Sequence, residues 1–196
     1  MKRLLGGLSL VIGLVVSAGV LSGTAAATVA APPDPTGLTA GLATAQRIQL
    51  QRQVDDLLAK SPTGKQVGPN QVAWRGGKVT VTIPLPGEKT ARAAGEAMAP
   101  AGTPNCSYYW TCFYEHADFG GRRLTWSDCG GLHDFQNWDF DNMTSSWHNN
   151  QSGGATTTVY KFGNPTGYFT IWTAAPGSSA YVGDRLNDIA DAFTAC

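Results

Sequence analysis

Between residues 43 and 60 the apolar side chains Leu50, Val54, Leu57 and Leu58 fall at i, i+4, i+7 and i+8, one face of a helix, and Ser61, Pro62 and Gly64 end the run. The spacing predicts a helix there. The period then changes: 71–74 and 78–83 read as two strands around Arg75, Gly76 and Gly77, with Val79, Val81 and Ile83 alternating onto one side. A helix and one hairpin over 31–84 are marginal as an independent unit. The plainer reading is a structured spacer; the functional one is a pro-segment or a wall-interacting module. From 85 to 105 Ala, Gly and Pro dominate and large apolar residues are scarce, which predicts a flexible linker.

From 106 to 196 no helical period holds, and aromatics and Gly recur at one fixed offset of 46. Tyr114 and Gly121 recur as Tyr160 and Gly167, Trp126 as Trp172, Gly131 as Gly177, and the pair Asp141 and Asn142 as Asn187 and Asp188. A period of this size means two copies of one supersecondary unit, each unable to bury its apolar face alone. The copies, 106–150 and 152–196, each suggest four short strands: 111–115, 122–127, 133–136 and 145–149, then 157–162, 168–173, 180–182 and 190–194. The expected class is all-β, two packed sheets behind a small helix plus β-hairpin region.

Composition adds a compartment. Lys2 and Arg3 precede an apolar run from Leu4 to Leu21 followed by small residues through Ala31, the form of a secretory signal peptide over 1–30. The mature chain is then expected to be secreted and free of the membrane. Export makes Cys106, Cys112, Cys129 and Cys196 candidates for disulfides, with three pairings open, since none has the Cys-x-x-Cys spacing of a zinc or redox site. The formal net charge of +0 hides an asymmetry, because from Cys106 onward nine acidic side chains face four basic ones. That balance disfavours a nucleic acid and favours a cation.

The oxygen-rich run Asp141, Asn142, Met143, Thr144, Ser145, Ser146 offers carboxylate, amide, hydroxyl and carbonyl ligands of the kind a hard cation such as calcium takes. A polar turn in which Asp and Asn bond their own backbone is the competing reading. His116, His133 and His148 lack any companion motif for catalysis: there is no nucleophile elbow, no His-Glu-x-x-His and no phosphate loop. The chain therefore reads as a binding protein and not an enzyme.

Tyr114, Glu115, Phe119 and Gly121 resemble the aromatic hairpin signature of the βγ-crystallin Greek key, and 141–146 is similar to its calcium motif. Within that superfamily 106–150, with Cys112 to Glu115 leading into Phe119, Gly120 and Gly121, resembles peptidase inhibitor family I36, the Streptomyces metalloproteinase inhibitor type. The resemblance implies a Greek-key sandwich of two four-strand motifs in which the third strand of each copy crosses to the other's sheet. It implies calcium ligands at Asp141, Asn142, Met143 and Ser145 and, in the second copy, at Asn187, Asp188, Ile189 and Asp191, with weak affinity. Ser146 would tie down the first hairpin, whereas Asp191 and Ala192 replace the second copy's hydroxyls and make its site unequal. Crossing strands imply the pairs Cys129–Cys196 and Cys106–Cys112. The functional expectation is a proteinaceous inhibitor of an extracellular metalloprotease, with Tyr108, Tyr109 and Trp110 as a candidate inhibitory loop. The alternative is a calcium-binding structural or cell-envelope protein of the same fold without inhibitory activity.

Overall fold

The computed structural model describes residues 34–163, Pro165 and 167–196; the expected leader over 1–30 lies outside the described residues. Helix α1 runs over Thr44–Lys60 and buries Leu50, Val54 and Leu57, with Leu58 packed at the rim. At its start the Gln46 side-chain oxygen accepts a bond of 2.9 Å from the Ala43 amide, and at its end the Ser61 amide donates to Leu57 O at 2.9 Å. Both groups would otherwise be orphans of a helix terminus.

Strands β1 (Lys65–Gly68), β2 (Gln71–Trp74) and β3 (Val79–Thr82) follow the helix. The first copy of the repeat supplies β4 (Thr111–His116), β5 (Gly120–Trp126), β6 (His133–Asp134) and β7 (Ser146–Asn149). The second supplies β8 (Thr157–Gly163), β9 (Gly167–Ala174), β10 (Gly177–Ser179) and β11 (Ala192–Ala195). They form two antiparallel sheets, in the orders β1-β2-β3-β5-β4-β7-β10 and β6-β11-β8-β9. β10 of the second copy completes the first sheet and β6 of the first copy completes the second, so the two copies exchange their third strands as the resemblance implies. Thr111 and Thr157, matched by the offset, meet hydroxyl to hydroxyl at 2.9 Å in the buried centre. That contact lies on the pseudo-twofold axis relating the copies.

Two bridges close the sandwich, Cys129–Cys196 and Cys106–Cys112. The first lies where β6 meets β11, with the Gly130 amide donating to Ala195 O at 2.8 Å beside it. Between the sheets a single apolar cluster takes in Phe113, Leu124, Trp126, Phe135, Trp138, Phe140, Val159 and Phe193, and continues without a break into Val72, Trp74, Val79, Val81 and the buried face of α1. Edge-to-face contacts such as Phe113 on Phe135, at 4.9 Å between centroids, add specificity to that burial.

Three local differences from the sequence reading have physical causes. β1 was not expected: Lys65 to Gly68 carries the single apolar residue Val67 and no apolar alternation, and among the described residues its only partner is β2, so it stands at the edge of the sheet. The third strands are shorter or shifted, because His133 and Asp134 give way at once to a 3-10 turn over Phe135–Trp138 and the second copy pairs at 177–179 instead of 180–182. The largest difference is the expected flexible linker. Leu85 and Ala91 are buried, Gly121 N donates to Lys89 O at 2.8 Å, and Glu96 holds the buried Arg123 guanidinium with both oxygens at 2.9 Å. Asn70 reaches Ile83 O and Arg92 O, and Asn105 reaches Ala91 O. This strap, 85–105, covers the outer face of β4 and β5, where Cys112 and Tyr114 make a second small cluster with Phe119 and Cys106. A composition test sensitive to large apolar residues misses an anchor made of hydrogen bonds and one buried ion pair. β3 pairs with β5 along four residues, so 34–84 extends the sandwich instead of preceding it.

Candidate functional site

The hairpin between β4 and β5 folds back on itself. Asp118 and Phe119 both take positive φ, 56° and 59°, and Gly121 at 72° comes so close to its own strand that a Cβ there would meet Glu115 Cβ at 2.8 Å. Glycine is the residue that fits. The Ser146 hydroxyl pins the fold by donating to His116 O at 2.7 Å and accepting from Phe119 N at 3.1 Å. The structure thus gives Ser146 the tying role that the resemblance implies. Ala192 has no hydroxyl to offer at the matched place, but the Asp191 carboxylate accepts from the Phe162 amide and ties the second hairpin from one position earlier.

The two polar loops lie side by side across the pseudo-twofold. Asn142 N donates to Ala190 O at 3.0 Å and Asp188 N donates to Thr144 O at 3.3 Å, a reciprocal pair at matched positions. Asn142 and Asp188 both stand in the left-handed region, at φ 54° and 55°, which Asn and Asp tolerate better than other side chains. The Asn142 amide donates to Asp141 Oδ2 at 2.7 Å, and the Asn187 amide to Asp188 Oδ2 at 2.6 Å.

Around the first loop, Ser145 Oγ lies 2.8 Å from Glu115 O and 3.3 Å from Asp188 Oδ1. A hydroxyl, a carbonyl and one carboxylate from the opposite copy thus converge, a donor set that suits a hard cation at low affinity. The Met143 side chain lies with its sulfur against the Arg122 guanidinium, whereas the ligand the resemblance implies at this position is the backbone carbonyl. Arg122 is also fixed by Glu115 and Asp139.

Around the second loop, Ile189 O and Asp191 come together with Asn142 of the first copy, and Lys161 reaches into the middle of them. Asp141 belongs to this side as well. Burial raises its pKa and the neighbouring Asp191 raises it further, against the lowering effect of the Asn142 bond. Among the described residues no three or more His, Cys, Asp or Glu side chains are grouped so as to hold a metal. A calcium ion here would depend on amide, hydroxyl and backbone oxygens.

The sequence reading did not foresee Glu115 O or Lys161. They are each other's counterparts at the offset of 46, and the reversal of charge between them was the available signal.

The loop closed by Cys106 and Cys112 projects from the same sheet. Tyr108 and Tyr109 are 58% and 60% exposed with ring centroids 4.1 Å apart, while Trp110 packs against the small cluster beneath. Tyr109 is held at φ 73°, a strained value for an aromatic residue. Asn150 holds this loop at three points: its carbonyl accepts from Tyr109 N at 2.9 Å, its amide N donates to Trp110 O at 2.9 Å, and its side chain donates to Cys106 O at 2.8 Å. The histidines have structural surroundings: His133 packs on Trp126 at 4.0 Å and bonds Gly130 O, and His148 stands opposite Cys112 in the ladder.

A search of curated proteins finds no match to the chain. Among solved structures it is similar to a βγ-crystallin domain from Clostridium beijerinckii, at 22% identity and a TM-score of 0.35 over 43% of this chain and 94% of that one. It is also similar to a chain solved in work on the evolution of the eye-lens βγ-crystallin domain fold, at 16% identity and a TM-score of 0.37 over 48% of this chain and 91% of that one. Residues 99–171, which hold the bridged loop, the pinned hairpin and the first polar loop, match peptidase inhibitor family I36, a family of inhibitors and not of enzymes.

Proposed function

We propose that the protein is a secreted inhibitor of an extracellular metalloprotease that presents the loop from Cys106 to Cys112 to the enzyme. The observation that carries this reading is the family match over 99–171 together with the only bridged hairpin-like loop inside it among the described residues. Two exposed tyrosines supply broad, rigid contact area at low entropic cost. The short bridge and the Asn150 clamp order the loop in advance, so little freedom is lost on docking. Hydrolysis of a bond inside the loop would leave both ends tethered by the bridge and by Asn150, so the cut product would not diffuse away. Two disulfides in a chain with a leader-like start support an extracellular setting.

The test is a thermolysin-type activity assay with the whole secreted chain and its Tyr108→Ala/Tyr109→Ala variant. Inhibition at sub-micromolar protein, weakened at least about tenfold in the variant with an unchanged unfolding midpoint, is the expected result; a loss of this size is typical of interface aromatics. No inhibition by micromolar wild-type protein sinks the reading.

A second reading, a calcium-binding structural or cell-envelope protein of this fold, is favoured by the grouping of Ser145 Oγ, Glu115 O and Asp188 Oδ1. The two are compatible, because a cation at that grouping would brace the hairpin at one end of β4 and leave the Cys106–Cys112 loop at the other end free to dock. Millimolar calcium is then expected to raise the unfolding midpoint through binding to the folded state alone.

A further inference from the structure

The repeat places the same scaffold around two loops but fills the two centres differently. At the first, the side chain facing outward from position 115 is a carboxylate that turns away to Arg122, leaving Ser145 Oγ, Glu115 O and Asp188 Oδ1 around the loop. At the second, the matched position is Lys161, and its side chain turns inward. Its ammonium lies 3.3 Å from Ile189 O, 3.4 Å from Asn142 Oδ1 and 3.6 Å from Asp191 Oδ2. A backbone carbonyl, an amide oxygen and a carboxylate, drawn from both copies, therefore converge on one positive charge. Those are the oxygen types a hard cation collects.

We propose that Lys161 is a tethered cation that takes the place of a second divalent ion and closes that centre to calcium. The surrounding charge fits. Asp141 is bonded to Asn142 and faces Asp191, and Asp134, which accepts from the Tyr168 hydroxyl at 3.0 Å, adds to the same negative field. One ammonium offsets part of that field without any ion from solution. A calcium ion entering the centre would have to expel Lys161 from all three oxygens or stand beside it against charge repulsion. The inequality of the two copies then has a definite form: one centre open to solvent cations and one supplied by the chain. This inference shares its cation chemistry with the calcium reading above but does not need the first centre to bind.

The experiment is calorimetric titration of calcium chloride, to about 10 mM to exceed the dissociation constants of weak extracellular sites, into the whole secreted chain and its variants. Lys161→Met is expected to bind one calcium more per chain than wild type, and the gain is expected to vanish in Lys161→Met/Asp191→Ala. Lys161→Arg, which keeps the charge, is expected to match wild type. Two calcium ions per wild-type chain would overturn the proposal. So would a Lys161→Met protein with wild-type near-ultraviolet circular dichroism that binds no more than wild type. A second measurement does not depend on any variant: amide shifts of wild-type protein on adding calcium should spare Asp191 and Phe162, and shifts there as large as at Glu115 and Ser145 would overturn it. If wild type binds no calcium, the reading of the first centre fails, while the gain in Lys161→Met still decides the role of Lys161.

Discussion

Ser146 shows how much of the site rests on single oxygens. It is fully buried, and one hydroxyl serves both His116 O and Phe119 N, holding two residues at positive φ next to Gly121. Ser146→Ala leaves the buried Phe119 amide and the part-buried His116 carbonyl without their partner, so a loss of about 1–3 kcal/mol is expected, read as a lower urea midpoint with an unchanged slope. A change below a few tenths of a kcal/mol would mean that solvent reaches the hairpin. At this scale the sequence was legible wherever a residue acts on its own motif: Ser146 and Gly121 stand where the motif places them. It was illegible where a side chain acts across the fold. Lys161 reaches Asn142, 19 residues earlier in the chain, and Asn150 clamps the loop around Tyr109. Neither belongs to the local pattern in which it acts.

Among elements, the helix and hairpin before the repeat are the ones whose role changed most. Their existence was legible because Leu50, Val54 and Leu57 keep a helical period and Val79 and Val81 keep a strand period. Their destination was not, because the edge that β3 covers belongs to β5, over forty residues later, and nothing local marks an unpaired ladder. The same limit hid the strap, whose anchors Arg123 and Gly121 also lie on β5. If α1 and the sandwich share one core, Leu57→Ala should weaken the whole molecule by about 2–5 kcal/mol, the range for emptying a buried leucine site. One transition, coincident by far-ultraviolet and tryptophan signals, is the expected result. Two separated transitions, with the sandwich midpoint unmoved, would show that the N-terminal elements fold apart from it.

For the whole molecule the two bridges divide labour. Cys129 and Cys196 are 67 residues apart, and Cys106 and Cys112 are 6 apart. In the chain-entropy description the long loop contributes about 4 kcal/mol and the short one about 2 kcal/mol. Cys129→Ser/Cys196→Ser should therefore lower the urea midpoint more than Cys106→Ser/Cys112→Ser. Inhibition should rank the other way, because the short bridge fixes the proposed contact loop; equal ranking by both measures would count against that loop. The repeat at an offset of 46 and the family resemblance it carries made this level the most legible of the three, since the resemblance implies both the exchange of the third strands and the long bridge. The pairing of β3 with β5 carries a consequence for a molecule that meets proteases. A cut in the strap at 93–104 would separate the chain covalently without parting it, since four paired residues and a common core still join the halves. The nicked protein would behave as a non-covalent heterodimer of its own fragments, intact under native conditions and divisible only in denaturant.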